Sequence, residues 1–486
     1  MMYQSTRDKN ERVTASKAIL NGLASKGGLY IPEKFPSISI TEETFLQQTY
    51  QELAYKIMQP LLADFSEAEL KMCISKAYDD KFTDKKIAPL NKQGADYYLE
   101  LFHGPTLAFK DMALSILPYL MTTALKKQEV DQEIVILTAT SGDTGKAAME
   151  GFADVEGTKI IVFYPKDGVS DIQEKQMLTQ RGENTFVVGI DGNFDDAQTS
   201  VKQMFEDQEL EELLNQHHMQ FSSANSINIG RLVPQIVYYF YGYQQLVKRG
   251  EIELGEKINV SVPTGNFGNI LASYYAKKMG LPINRLICAS NKNKVLTDFF
   301  NTGSYLKNRD FFVTNSPSMD ILVSSNLERL LFEVVDKDNN RLNKLMHDLK
   351  QQGNYHLLEI EKNKLEDFYA GFAEEEEIEE VIQQVFMESS YVIDPHTAVA
   401  KKVADDYRKT EKDPLKMMIV STASPYKFPA CFIGPNHEGK EVAVLHEKTQ
   451  LPIPKVIEEL DKLPIRHETN IKTRDMKQTV LSLLNL

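Results

Sequence analysis

Cysteine is scarce in this sequence: Cys73, Cys288 and Cys431 are the only three in 486 residues. Scattered in this way, they have neither the spacing of a metal site nor the even count of a disulfide framework, so they are expected as small apolar core residues, with no metal bound. Long apolar runs are missing too, since no stretch approaches the ~20 residues needed to cross a bilayer. Residues 1–12 are polar and mixed in charge, without the apolar core of a secretory signal. A soluble cytoplasmic protein with no membrane partner is the default expectation. There is no internal repeat, and no low-complexity segment beyond the glutamates at 374–377, 379 and 380, which read as a solvated helix face. The formal charge of -14 is otherwise dispersed and argues against nucleic acid as a general partner. A small anionic ligand is still allowed, because a few oriented amides and one or two cations in a cleft outweigh distant surface charge.

What is present is an ordinary globular composition, long enough for two or three packed domains. Residues 1–90 read as a mainly helical N-terminal segment, with helical patterns at 43–58 and 67–78. From 133 onward apolar runs alternate with amphipathic stretches, as βαβ units around a parallel sheet require. Strands are expected at 134–137, 159–164, 185–190, 258–262, 286–289 and 417–420, and helices at 146–154, 171–181, 229–248 and 269–279. The simplest packing is two α/β domains with a cleft between them, a smaller one of 131–222 and a larger one of 91–130 with 223–486.

Four segments carry polar chemistry. Thr138-Ala139-Thr140-Ser141-Gly142-Asp143-Thr144-Gly145-Lys146 follows a strand and opens a helix, a place where unpaired amides receive a carboxylate or phosphate. It is not a P-loop, since Thr140 replaces the first glycine and Ala147 the final hydroxyl residue. A plain capped turn explains it equally well. Val262-Pro263-Thr264-Gly265-Asn266-Phe267-Gly268-Asn269 also joins a strand to a helix, and its glycines let amides curl around one phosphate. The full dinucleotide fingerprint is absent, which favours a monophosphate.

The third segment, His103-Gly104-Pro105-Thr106-Leu107-Ala108-Phe109-Lys110-Asp111, sets one lysine among apolar neighbours. Desolvation there lowers its pKa and suits it to imine formation and proton transfer, although most lysines merely reach to the surface. In the fourth, Ser223-Ala224-Asn225-Ser226-Ile227-Asn228-Ile229-Gly230-Arg231, an arginine with nearby Ser and Asn donors suits a planar or tetrahedral anion; a capped helix start is the bland alternative. Asp394-Pro395-His396-Thr397 reads first as an N-cap with proline at N1.

In this order the segments resemble threonine synthase, in the long form of many bacteria and fungi. Tyr3-Gln4-Ser5-Thr6-Arg7, Gly27-Gly28-Leu29-Tyr30 and Ser421-Thr422-Ala423 extend the resemblance over essentially the whole chain. It implies the tryptophan-synthase-β-like fold (PLP fold type II), pyridoxal 5'-phosphate as cofactor, and conversion of O-phospho-L-homoserine and water to L-threonine and phosphate. Lys110 would be the Schiff-base lysine, Gly265, Asn266, Phe267, Gly268 and Asn269 would hold the cofactor phosphate, Thr422 the pyridine nitrogen, and Asp143 would lie near the phenolic oxygen. Ser141, Gly142, Thr144 and Gly145 would embrace the substrate carboxylate, and Ser226, Asn228 and Arg231 its phosphate. A monomer or homodimer is expected. One departure is Ser424-Pro425-Tyr426-Lys427-Phe428, where many relatives carry a histidine after Thr422. A dehydratase or β-replacement synthase of the same fold is the nearest rival, opposed by Asp143 where such enzymes usually have asparagine and by the Ser226 to Arg231 cluster. A retired, ligand-binding relative is opposed by the intact lysine and phosphate loop.

Overall fold

The computed structural model describes residues 1–41, 43–140, 142–166, 169, 171–437 and 439–486. The N-terminal segment is less helical than expected. Strands Met2–Ser5, Arg12–Thr14 and Tyr30–Pro32 form a three-stranded antiparallel sheet with Met2–Ser5 in the middle. The expected helix at 43–58 is split into Glu43–Gln47 and Tyr50–Met58, because Thr49 and Glu52 form a reciprocal cap that starts the second helix afresh.

The larger sheet has six strands in the order Phe368–Phe372, Ile283–Ser290, Ile258–Pro263, Met417–Ser421, Asp96–Glu100 and Leu90–Gln93. Only the last pair is antiparallel. Its central strands are buried on both faces, which is why they read as continuous apolar runs. Met418 and Val420 pack into the core shared with helix Ile229–Lys248, whereas Met417 and Ile419 pack into the core shared with helix Pro395–Glu411.

The smaller sheet has five parallel strands, in the order Thr469–Lys472, Thr185–Asp191, Thr158–Pro165, Glu133–Ala139 and Met219–Ser222. Here the expected division needs correcting: the C-terminal residues do not stay with the larger sheet. Helix Met476–Leu484 buries Met476, Val480 and Leu484, one helical face, against Val135, Leu137, Ile161 and Phe163 of the smaller sheet. The carboxyl ends of strands from both sheets, at Ala139, Pro263 and Thr422, open on one cleft, the usual ligand position in open α/β sheets.

Candidate active site

The cleft has a volume of about 520 Å³. Lys110 is brought to it by a tightly pinned loop. The Asp111 carboxylate accepts from Thr106 Oγ1 at 2.6 Å and from Thr106 N at 2.8 Å. A Cβ on Gly104 would lie 2.5 Å from Asp111 Cβ, so only glycine lets the loop close. Phe109 N donates to Thr422 O at 2.8 Å and Ser424 N to Leu107 O at 3.0 Å, tying this loop to the end of the Met417–Ser421 strand. The Lys110 amine has neither a hydrogen bond nor an ion pair among the described residues. Burial pushes its pKa down to about 8, with Asp143 opposing and Arg231 and Lys427 reinforcing the shift.

Facing it is the turn into helix Gly268–Lys278. Phe267 takes the left-handed conformation with φ 65°, and a Cβ on Gly265 would lie 2.8 Å from Ser318 O. Two carbonyls of this turn are held by neighbouring groups, Gly265 O by Ser324 Oγ at 2.7 Å and Asn266 O by Asn326 N at 3.1 Å. The amides of Gly265, Asn266, Phe267, Gly268 and Asn269 donate to no acceptor among the described residues. Asn269 Oδ1 accepts from the Tyr238 and Tyr239 hydroxyls, and this orientation leaves its buried Nδ2 without a partner. A row of open amides at a helix start, with an amide side chain held by two tyrosines, has the chemistry to hold one phosphate.

The other turn behaves differently. Thr140 Oγ1 accepts from Gly142 N at 3.0 Å and Gly145 N at 2.9 Å. Those two amides are therefore satisfied within the chain, and neither glycine lines the cleft, contrary to the expectation of direct substrate contact. Asp143 and Thr144 do line it, while Ser141 lies outside the described residues. The Asp143 carboxylate accepts from Gln173 Nε2 at 2.9 Å and pairs with Lys427 Nζ at 2.7 Å. Burial alone would raise its pKa; Lys427 and then Lys110 instead hold it well below the usual carboxylate range.

Ser226 and Arg231 reach the cleft. Arg231 is buried, donates through one NH group to Ala224 O at 3.0 Å, has no carboxylate partner among the described residues, and leaves Nε unpaired. Asn228 is a correction. Its Oδ1 caps the helix at Gly230 N, at 2.9 Å, and its Nδ2 donates to Ile19 O at 3.0 Å and Ser223 O at 3.1 Å. With both ends spent and no surface exposed, it acts as the cap that the bland reading proposed. Thr422 lines the cleft, and its hydroxyl makes no hydrogen bond to the described residues.

Sequence reasoning missed Gln173, Lys427 and His396. The last sits in a helix start capped by Asp394, as expected, but also lines the cleft, with Nδ1 2.7 Å from Asp394 Oδ2 and Nε2 accepting from Ser318 N at 3.2 Å. A polar residue beside a motif was the only local signal for any of them.

The residues present fit pyridoxal phosphate: an unpartnered amine for its aldehyde, a ring of open amides for its phosphate and a free hydroxyl for its ring nitrogen, all in one cleft. Comparison with known proteins agrees. Residues 2–78 match the family described as threonine synthase N terminus, and residues 89–344 match that of pyridoxal-phosphate dependent enzymes. The chain is 41% identical over 438 residues to threonine synthase-like 1 of Macaca fascicularis, an alignment covering 87% of this chain and 58% of that protein. The chain thus spans under two thirds of that relative's length. It is 39% identical over 435 residues to the threonine synthase of Pseudomonas aeruginosa, covering 88% of this chain and 89% of that one. The crystal structure of PLP-bound threonine synthase from Brucella melitensis superposes with a TM-score of 0.88 at 34% identity, covering 99% of both chains.

Proposed function

The chain belongs to the threonine synthase family of pyridoxal-phosphate-dependent enzymes, and from that premise we propose that it converts O-phospho-L-homoserine and water to L-threonine and phosphate. The observation that carries this reading is that the cleft offers two separate places for an anion. One is the amide cup at 265–269; the other is the buried Arg231, which has no carboxylate partner among the described residues. One phosphate belongs to the cofactor, and a substrate bearing its own phosphate accounts for the second.

When bound, the cofactor supplies an electron sink for charge that develops on the substrate carbons. Gly265 to Asn269 would hold its phosphate, Thr422 its ring nitrogen and Asp143 the neighbourhood of its phenolic oxygen. Lys110 is the group suited to move protons at the substrate Cα, because an amine with a pKa of about 8 exchanges protons readily near neutrality. Arg231 and Ser226 would grip the leaving phosphate, the attraction between the guanidinium and the anion being strengthened by the dry surroundings. Thr144 would orient the substrate carboxylate. The bodies built on the five-stranded and six-stranded sheets would act as two domains closing over the substrate, keeping bulk water from the proton transfers.

Purified chain supplied with pyridoxal phosphate and O-phosphohomoserine should release phosphate and form threonine in equal amounts. Phosphate without threonine, or no phosphate at all, refutes the reading. Arg231→Ala should weaken phosphohomoserine at least about tenfold, the lower range for a charged hydrogen bond, while cofactor affinity stays unchanged.

A further inference from the structure

The pairing of Lys427 with Asp143 joins two parts of the molecule. Asp143 is the first residue of helix Asp143–Phe152, packed on the smaller sheet, whereas Lys427 ends a short turn beyond strand Met417–Ser421 of the larger one. The ammonium lies 2.7 Å from Asp143 Oδ1 and donates to Thr106 O at 2.9 Å, and the exposures of the two side chains are 0% and 4%. A buried ion pair of this kind is costly to assemble and more costly to break from one side. The charges around Lys110 come from Asp143, Arg231, Lys427 and Asp111, with Asp320 and His396 also lining the cleft. Of the two carboxylates that act on Lys110, Asp111 is committed to Thr106. Asp143 is the one that could otherwise serve as counterion to the Lys110 ammonium.

We propose that Lys427 is a positioning residue that takes the Asp143 carboxylate as its own ion-pair partner and so withholds it from Lys110. The inference rests on the reading of Lys110 as the reactive amine, and it explains how an acid can stand beside that amine without locking it in the charged form. Lys427 also repels a proton on Lys110 directly, and burial acts in the same direction. Loss of the Lys427 charge would leave Asp143 facing Lys110, so the proton affinity of Lys110 must rise.

The test is the pH dependence of Lys110 methylation by formaldehyde and borohydride in the full-length chain freed of cofactor, followed at Lys110 by peptide mass spectrometry. In the unaltered chain the midpoint should fall near 8. Lys427→Gln, which keeps a donor toward Thr106 and removes the charge, should raise it by about one pH unit, an approximately tenfold slower reaction near neutrality. Lys427→Arg should hold the midpoint, and Asp143→Asn combined with Lys427→Gln should bring it back down. An unmoved midpoint in Lys427→Gln, or an equal rise in the double variant, overturns the proposal. So does a midpoint of 10 or above in the unaltered chain, a result that needs no variant to fold. Should Lys110 fail to take up pyridoxal phosphate at all, the functional reading falls instead, and the two failures are distinct.

Discussion

The turns at 139–145 and 263–269 are built alike, each leaving a parallel strand, passing through glycines and entering a helix beside the same cleft. They end in opposite states. In the first, the Thr140 hydroxyl supplies the oxygen that the amides of Gly142 and Gly145 need. In the second, the chain supplies none to the amides of 265–269 among the described residues, and neighbouring groups hold the carbonyls of Gly265 and Asn266. A glycine-rich helix start is therefore an anion site only where no side chain of the protein has already taken the ligand's place. On the proposed reading the first turn would still contribute through the side chains of Asp143 and Thr144, while the second would anchor the cofactor phosphate.

The largest test of this contrast is Gly265→Ala. Its Cβ would press on Ser318 O at 2.8 Å and Met319 Cα at 3.0 Å, so the cup must open. Equilibrium dialysis should show cofactor affinity reduced by about 100-fold, the scale of losing a pair of charge-assisted hydrogen bonds; unchanged affinity would mean that the amides are not the anchor. Next comes Thr140→Val, which strands two amides in the other turn. Stability in urea should drop by about 2 kcal/mol, within the range for an unpaired buried donor, with cofactor affinity retained. Loss of the cofactor without loss of stability would reverse the assignment of the two turns. Smallest is Asn228→Ala, expected to lower stability by about 1 kcal/mol as a lost helix cap and to leave the KM for phosphohomoserine in place. A raised KM with unaltered stability would return Asn228 to the substrate.

Two parts of the cleft, each within one short segment, stand out in the sequence. Lys110 and the loop at 265–269 are local motifs, and the buried strands announce themselves as apolar runs because both faces of their sheets are covered. Groups that depend on distant partners were hidden. Nothing local tells that Lys427 pairs with Asp143, 284 positions away by number (427 less 143). Nor does the run Thr469-Asn470-Ile471-Lys472 look like a strand, since it forms a largely exposed sheet edge and needs no apolar face. Asn228 was misassigned for another reason: a side chain that caps a helix and one that binds an anion use the same chemistry, and only the position of Gly230 N decides between them.

The central claim is that one amine, at Lys110, is the covalent anchor for a cofactor whose phosphate rests on the amides of 265–269. Borohydride reduction of the full-length chain with pyridoxal phosphate, followed by peptide mapping, tests it most directly. The account predicts a phosphopyridoxyl group on Lys110 alone at one equivalent of cofactor. Labelling instead at another buried lysine, such as Lys146 or Lys427, would contradict it.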